Sequence, residues 1–91
     1  MMQITVQYMA QIKRAAGCST ESMSVPVGIT LRAALRTLSH LHDDRFRTML
    51  LDDADEPRKS LLFFVGDEHA EPERLLRDGD EVTILAPMAG G

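Results

Sequence analysis

Two segments near the start of the chain alternate polar and apolar residues. Alternation with a period of two is typical of a strand that buries one face. The apolar positions of the first segment, Gln3–Tyr8, are Ile4, Val6 and Tyr8, and those of the second, Glu21–Val27, are Met23, Val25 and Val27. A weakly helical stretch between them, Ala10–Ala16, stops at Gly17, so the two strands are predicted to pair as a hairpin with a longish connection.

The clearest helix of the sequence follows Thr30, whose side chain is a favourable N-cap. The residues after it recur at the spacing of an amphipathic helix, and the apolar ones are Leu31, Ala34, Leu35, Leu38 and Leu41. This stripe predicts a helix packed on the core rather than a groove for a partner. A second, shorter helix is predicted where Phe46, Met49 and Leu50 share one side, and Asp52–Ser60 reads as a polar loop.

The segment Leu61–Val65 is apolar at every position, so both faces of this predicted strand carry apolar side chains. In a small domain with one main helix, either both faces are covered or one face is an exposed apolar patch. An exposed patch often marks a partner site. Gly66-Asp67 and Asp78-Gly79-Asp80 are predicted to form the turns that follow.

The last strand is predicted where Val82 and Ile84 alternate with Thr83 and Leu85. It should end before Pro87, because proline cannot donate a hydrogen bond to a sheet. The first and last strands are natural central neighbours. The element order therefore predicts the α+β class, with a mixed sheet packed on one main helix. Residues 1–86 would form this domain, and residues 87–91 a flexible C-terminal diglycine tail.

The length and charge of the chain narrow the classes of function. The chain has 91 residues, which favours one domain with little room for a deep pocket and so disfavours a self-contained enzyme. Its net charge of -4 argues against nucleic acid as the main partner. With no signal peptide and no apolar run of membrane-spanning length, the expected location is cytoplasmic, without a membrane partner.

Few side chains of this sequence suggest chemistry of their own. Cys18 is the single cysteine, and neither a base nor an activating field for it is visible. His40 and His42 are placed on the main helix and His69 after a turn, and none has metal-ligand spacing with cysteine or a carboxylate. All three are expected on the surface, and no metal site is predicted.

The C-terminal end is the feature that points to chemistry. Ala89, Gly90 and Gly91 carry almost no side chain, so they form a thread that can enter a narrow channel of another protein. The carboxylate at the end of this thread must be converted to an acyl adenylate or a similar mixed anhydride before it can react. The activated carbonyl could then accept sulfur to give a thiocarboxylate or an amine to give an amide. Because the chain lacks a Gly-rich phosphate loop, a partner would have to supply the ATP site.

Three stretches of the chain resemble the MoaD/ThiS family of ubiquitin-like sulfur carriers. Tyr8–Gly17 resembles the family's aromatic-x-Ala-x-hydrophobic-Arg-x-x-x-Gly segment, and Thr30–Leu35 resembles the start of its main helix. Asp78–Gly91 is similar to the family's DGDEV turn, hydrophobic strand and Pro-hydrophobic-small-Gly-Gly ending. The resemblance implies a β-grasp fold.

The resemblance also implies how such a chain works. An activating enzyme of the MoeB/ThiF type would use ATP to adenylate Gly91, which then becomes a thiocarboxylate. The tail would insert into a MoaE-like large subunit and donate its sulfur to molybdopterin synthesis, so the chain is not catalytic alone and binds no cofactor. The residues expected at partner surfaces are Pro87, Met88, Ala89, Gly90, Leu61 and Phe63.

Other recipients and other functions remain open from the sequence. Val65-Gly66-Asp67-Glu68 stands where the family often has Val-Asn-Gly, and it is closer to carriers that serve cysteine or natural-product synthesis. Thiamine and tRNA thiolation are further alternatives. A ubiquitin-like modifier, which forms isopeptides with lysines, and a plain interaction domain with an incidental tail are the competing classes.

Overall fold

The computed structural model describes residues 1–86, and Pro87–Gly91 lie outside the described residues. The elements in chain order are β1 (Met2–Ala10), α1 (Gln11–Ala16), β2 (Thr20–Val25), α2 (Leu31–Ser39), α3 (Asp44–Leu50), β3 (Leu62–Val65), β4 (Glu68–His69) and β5 (Glu81–Ala86). The strands form one mixed sheet and the helices pack on it, which confirms the predicted α+β class.

The sheet has the strand order β2-β1-β5-β3-β4. β1 is antiparallel to β2 and parallel to β5, and β5 is antiparallel to β3. The predicted hairpin and the predicted pairing of the first and last strands are both confirmed. Ala10 pairs with Ala86, and Leu62 pairs with Leu85. The ends of β1 and β5 and the start of β3 therefore lie at one end of the sheet, which we call the exit end.

One face of the sheet packs against the helices in a single core. Ile4, Val6, Val82 and Ile84 are all buried from β1 and β5, and the main contributors from the helices are Leu31, Leu35, Leu38, Phe46 and Leu50. Burial of one such side chain stabilises a fold by roughly 1.5–3 kcal/mol. The core therefore ties the two central strands firmly to α2 and α3.

Two predicted elements end earlier in the structure than in the sequence pattern. β2 ends at Val25, and Val27 is 79 % exposed because the chain turns through Pro26 and Gly28, whose φ is 86°. α2 ends at Ser39, and Leu41 is 61 % exposed.

The early end of α2 has a local cause. The backbone N–H groups of His40 and Leu41 donate to Thr37 and Leu38, three residues back. This tighter turn rotates Leu41 away from the apolar stripe. His40 and His42 consequently lie beyond α2, and their predicted place on the main helix was wrong.

Candidate functional site

The exit end is the candidate site, because it is where the chain leaves the sheet toward Pro87. β5 is hydrogen-bonded to β1 on one side and to β3 on the other. Its last residue, Ala86, is half-buried and lies opposite Ala10. A strand paired along both edges has little freedom to move. This double pairing extends to Leu85, and Ala86 is held by its pairing with Ala10, so the sheet fixes the end of β5.

Four apolar side chains lie together on the outer face of the sheet at this end. Leu85 pairs with Met9 on one side and with Leu62 on the other. Phe64, two residues further along β3, shares their face and contacts the His69 ring edge-on at 5.8 Å between centroids. Met9 is 47 % and Leu62 37 % exposed, while Leu85 and Phe64 are half-buried. We call Met9, Leu62, Phe64 and Leu85 the exit patch.

The predicted choice of Leu61 and Phe63 as partner-facing residues needs correction. Both side chains are buried in the core, at 8 % and 5 % exposure. Side chains alternate across a strand, so burying Phe63 turns its neighbours Leu62 and Phe64 outward. Of the two readings left open for this strand, the structure shows the one with an exposed apolar face.

The remaining predicted site residues cannot be compared with the structure. Pro87, Met88, Ala89, Gly90 and Gly91 lie outside the described residues. Their roles as the partner-binding tail and the adenylation site stay predictions.

The backbone at Ala10 is strained beside the exit end. Ala10 has φ 59° and ψ -132°, where it turns the chain from β1 into α1. This region of positive φ is readily adopted only by glycine, and a residue with a Cβ pays of the order of 1–3 kcal/mol there. The strain lies directly across from Ala86, and the surrounding pairs of the sheet hold it in place.

Replacing Ala10 with glycine is therefore expected to raise the free energy of unfolding by about 1 kcal/mol. Ala33→Gly, inside α2, is the matched control and should lower it by about 1 kcal/mol. Urea unfolding followed by circular dichroism measures both. A loss of stability in Ala10→Gly as large as that in Ala33→Gly would contradict the assigned strain.

A hydrogen-bonded cluster centred on Glu21 joins β1 and β2 to the connection between α2 and α3. The Tyr8 hydroxyl donates to Glu21 Oε1 at 2.7 Å, and His42 Nε2 lies 2.7 Å from the same oxygen. The Cys18 thiol donates to Glu21 Oε2 at 3.6 Å. The His42 ring also packs on Phe46 at 4.2 Å between centroids. His42 has only 14 % of its side chain exposed, so its predicted surface position was wrong.

The environment of this cluster shifts the acidity of its members. Burial raises the pKa of the Cys18 thiol, and the charge of Glu21 raises it further. Burial and the hydrogen bond to Glu21 likewise raise the pKa of Tyr8. Burial alone would raise the pKa of Glu21, but the hydrogen bonds from His42 and Tyr8 outweigh it and the pKa is lowered. A protonated thiol is a weak nucleophile, so the raised pKa does not favour Cys18 as a nucleophile.

Residues 1–86 were also considered for a metal site and for a membrane-spanning helix. Within that range, three or more cysteine, histidine, aspartate or glutamate side chains do not come together as a group that could hold a metal ion. None of the helices described there is long and apolar enough to cross a membrane.

Comparisons with known proteins cover almost the whole chain. The ThiS family model matches residues 6–91. The molybdopterin synthase sulfur carrier subunit of Chlamydomonas reinhardtii is 28 % identical over 92 residues, which span 99 % of this chain and 100 % of that protein. SAMP1 from Haloferax volcanii has a similar structure, with a TM-score of 0.89 at 22 % identity over 98 % of this chain and 99 % of that one.

A chain of the Amycolatopsis orientalis BexX/CysO complex is also similar, with a TM-score of 0.69 at 21 % identity over 97 % of this chain and 99 % of that one. At such identities the structural likenesses show the fold alone, and that fold is the β-grasp fold that the sequence predicted. The family match, in contrast, runs through both the central strands and the final residues. The chain therefore belongs to the ThiS family, among the ubiquitin-like sulfur carriers.

Proposed function

We propose that this protein carries sulfur as a thiocarboxylate on Gly91 and donates it in molybdopterin biosynthesis. The observation that carries the proposal is the central position of β5, which lies between β1 and β3 and ends at Ala86 beside the exit patch. A partner that docks on this end receives the following residues from a fixed point. Residues 87–91, if fully extended, would reach about 17 Å from there.

The chemistry needs two steps at the carboxyl group of Gly91. A carboxylate oxygen forms a bond to the α-phosphorus of ATP, and pyrophosphate leaves to give an acyl adenylate. Hydrosulfide, or an equivalent sulfur nucleophile, then adds to the acyl carbon, and AMP leaves with the C–O electron pair. The product is a thiocarboxylate. An activating enzyme of the MoeB/ThiF type would supply the ATP site and a MoaE-like large subunit would receive the sulfur.

The pathway within this proposal is supported by the Chlamydomonas relative, which is described as a molybdopterin synthase sulfur carrier subunit. Gly66-Asp67, where this chain differs from the Val-Asn-Gly often found in the family, lies in the two-residue turn between β3 and β4. That turn is at the end of the sheet opposite the exit end, because Val65 pairs with Val82 near the start of β5. The departure thus leaves the exit patch unchanged.

The test is to incubate the purified protein with its cognate activating enzyme, ATP and a sulfide source, and to measure intact mass. We expect the mass to rise by the difference between sulfur and oxygen, and fragmentation to place the change on Gly91. A control without ATP should keep its mass. An unchanged mass in the complete reaction overturns the proposal, and isopeptide conjugates on lysines of other proteins would indicate a modifier instead.

The enzyme that accepts the sulfur from the loaded carrier shows which pathway the protein serves. The loaded carrier is mixed with the MoaE-like large subunit and the molybdopterin precursor, and dithiolene product is measured. Transfer there supports molybdopterin synthesis. Transfer to an enzyme of cysteine, thiamine, tRNA-thiolation or natural-product synthesis, with no transfer to the large subunit, would contradict the molybdopterin pathway and indicate that other one.

A further inference from the structure

Basic side chains border the exit end on both sides. Lys13 and Arg14 lie in α1, directly after the turn at Ala10, and both are exposed. Together with Ala10, Gly17 and Cys18 they line a shallow surface depression. On the other side, Lys59 is exposed just before β3 and lines a groove with Leu61 and Leu62. We call Lys13, Arg14 and Lys59 the exit rim.

The exit-rim cations have no carboxylate within 4.0 Å among the described residues, whereas four arginines elsewhere are each paired with one. Arg32 contacts Glu56 at 2.9 Å, and Arg74 contacts Glu68 at 3.0 Å. Two acidic groups lie near Lys59. Glu71 lines the same groove, and the pKa of Asp52 is lowered first by backbone hydrogen bonds from Glu56 and Ala54 and then by the charges of Arg58 and Lys59. Neither forms an ion pair with the exit rim.

The opposite end of the sheet carries the opposite charge. Asp78 accepts a hydrogen bond from the backbone of Gln3 at 2.8 Å, and Glu81 pairs with Thr5 near the start of β1. The five acidic residues at this end outnumber its two arginines, Arg74 and Arg77, and they are Asp67, Glu68, Asp78, Asp80 and Glu81. The balance of charge thus differs between the two ends of the strands, with an excess of acidic residues opposite the basic exit rim, in a chain whose net charge is -4.

We propose that the exit rim docks on an acidic protein surface, in which aspartate and glutamate side chains surround an apolar centre at the mouth of the channel for the tail. This inference rests on the proposed function, and the partner it describes is the activating enzyme. Separated charges orient an approaching partner before contact and raise the rate of association, so the carrier would arrive with Ala86 foremost.

A protein fits this surface better than a polyanion such as nucleic acid. The cations flank the exit patch, whose Met9 and Leu62 are 47 % and 37 % exposed. Phosphates would leave these apolar side chains in water, whereas an apolar centre within a polar rim is how protein interfaces are built. The net charge of -4 also opposes binding to a polyanion at any other face.

The test compares two variants with equal changes in net charge. Lys13→Gln with Arg14→Gln removes two positive charges at the exit end, and Arg77→Glu reverses one at the opposite end. Arg77 is exposed and has no carboxylate within 4.0 Å in the described part of the chain, so it is a matched control. ATP-dependent pyrophosphate exchange by the cognate activating enzyme gives kcat and the KM for the carrier at low and high salt.

We expect the double variant to raise the KM about tenfold at low salt with kcat unchanged, and to weaken the dependence of KM on salt. Arg77→Glu should change the KM less than about twofold. Equal KM values in the two variants would overturn the docking proposal while exchange by the wild type upholds the carrier function. No exchange by the wild type would overturn the carrier function and the docking proposal together. Thermal unfolding confirms that each variant is folded.

Discussion

Deletion of Gly91 is expected to reduce sulfur loading by about 10²-fold or more without changing the stability of the domain. The deletion leaves a carboxylate on Gly90, but it withdraws that group by roughly 3.3–3.6 Å, the reach of one extended residue. Displacement of a reacting group by about 1 Å can already cost 10²-fold in rate. β5 cannot shift to compensate, because β1 and β3 hold it on both edges.

A second deletion separates reach from the identity of the last residue. Removing Ala89 keeps the Gly-Gly ending but shortens the chain by the same one residue. If reach decides loading, both deletions lose it to a similar degree in the intact-mass assay, while their thermal unfolding matches the wild type. Full loading of the Gly91 deletion would contradict the assignment of Gly91.

Replacing Glu21 with alanine is expected to lower the free energy of unfolding by about 2–3 kcal/mol. The substitution removes the acceptor of the Tyr8 hydroxyl, which donates at 2.7 Å from a residue only 1 % exposed. A buried donor without a partner keeps its full desolvation cost. The His42 ring would lose its 2.7 Å contact with the carboxylate as well.

A comparison with three further variants isolates the hydrogen bond. Tyr8→Phe removes the donor and leaves the carboxylate with His42, so the loss should be nearer 1 kcal/mol. Combining Tyr8→Phe with Glu21→Ala should cost less than the sum of the single changes, because the two groups interact. Ser22→Ala, on the exposed face of the same strand, should have almost no effect. Urea unfolding measures all four, and additive losses would argue against the network.

The same network predicts a loss of stability in acid. The pKa of Glu21 in the folded protein is lowered from its ordinary 4.5, so its contribution is complete above the pKa of the unfolded chain. That contribution is lost as the pH falls below 4.5 through the folded pKa. The difference in stability between the wild type and Glu21→Ala should therefore shrink in that range. A difference independent of pH would show that the carboxylate charge is not what stabilises the cluster.

The sequence pattern predicted the fold well where periodicity is local. The alternation of Ile4, Val6 and Tyr8 and the N-cap Thr30 are both found as expected, and Ala33 donates to the Thr30 side chain at 3.2 Å. Errors lie at element ends, as at Val27 and Leu41. There the backbone geometry of a turn, rather than residue type, decides which way the next side chain points.

The site was harder to predict, because it depends on register. Met9 and Leu85 are far apart in sequence and belong to one patch only because β1 and β5 pair in a given register. The apolar run of β3 left open whether both faces are covered or one is exposed. Only the packing of Phe63 into the core shows that Leu62 and Phe64 point outward. His42 was missed for a similar reason, since its partner Glu21 lies on another element.

The place of β5 in the sheet also sets the order in which the protein can be completed during synthesis. β3 pairs with β5 and β4 only, so without the last strand the β3–β4 hairpin has no connection to the β1–β2 hairpin. Val82 and Ile84 would be missing from the core as well. Since chains emerge from the ribosome N-terminus first, the domain closes only after β5 has emerged. A chain that stops before β5 cannot form the exit end, so a partner that docks there discriminates against such fragments.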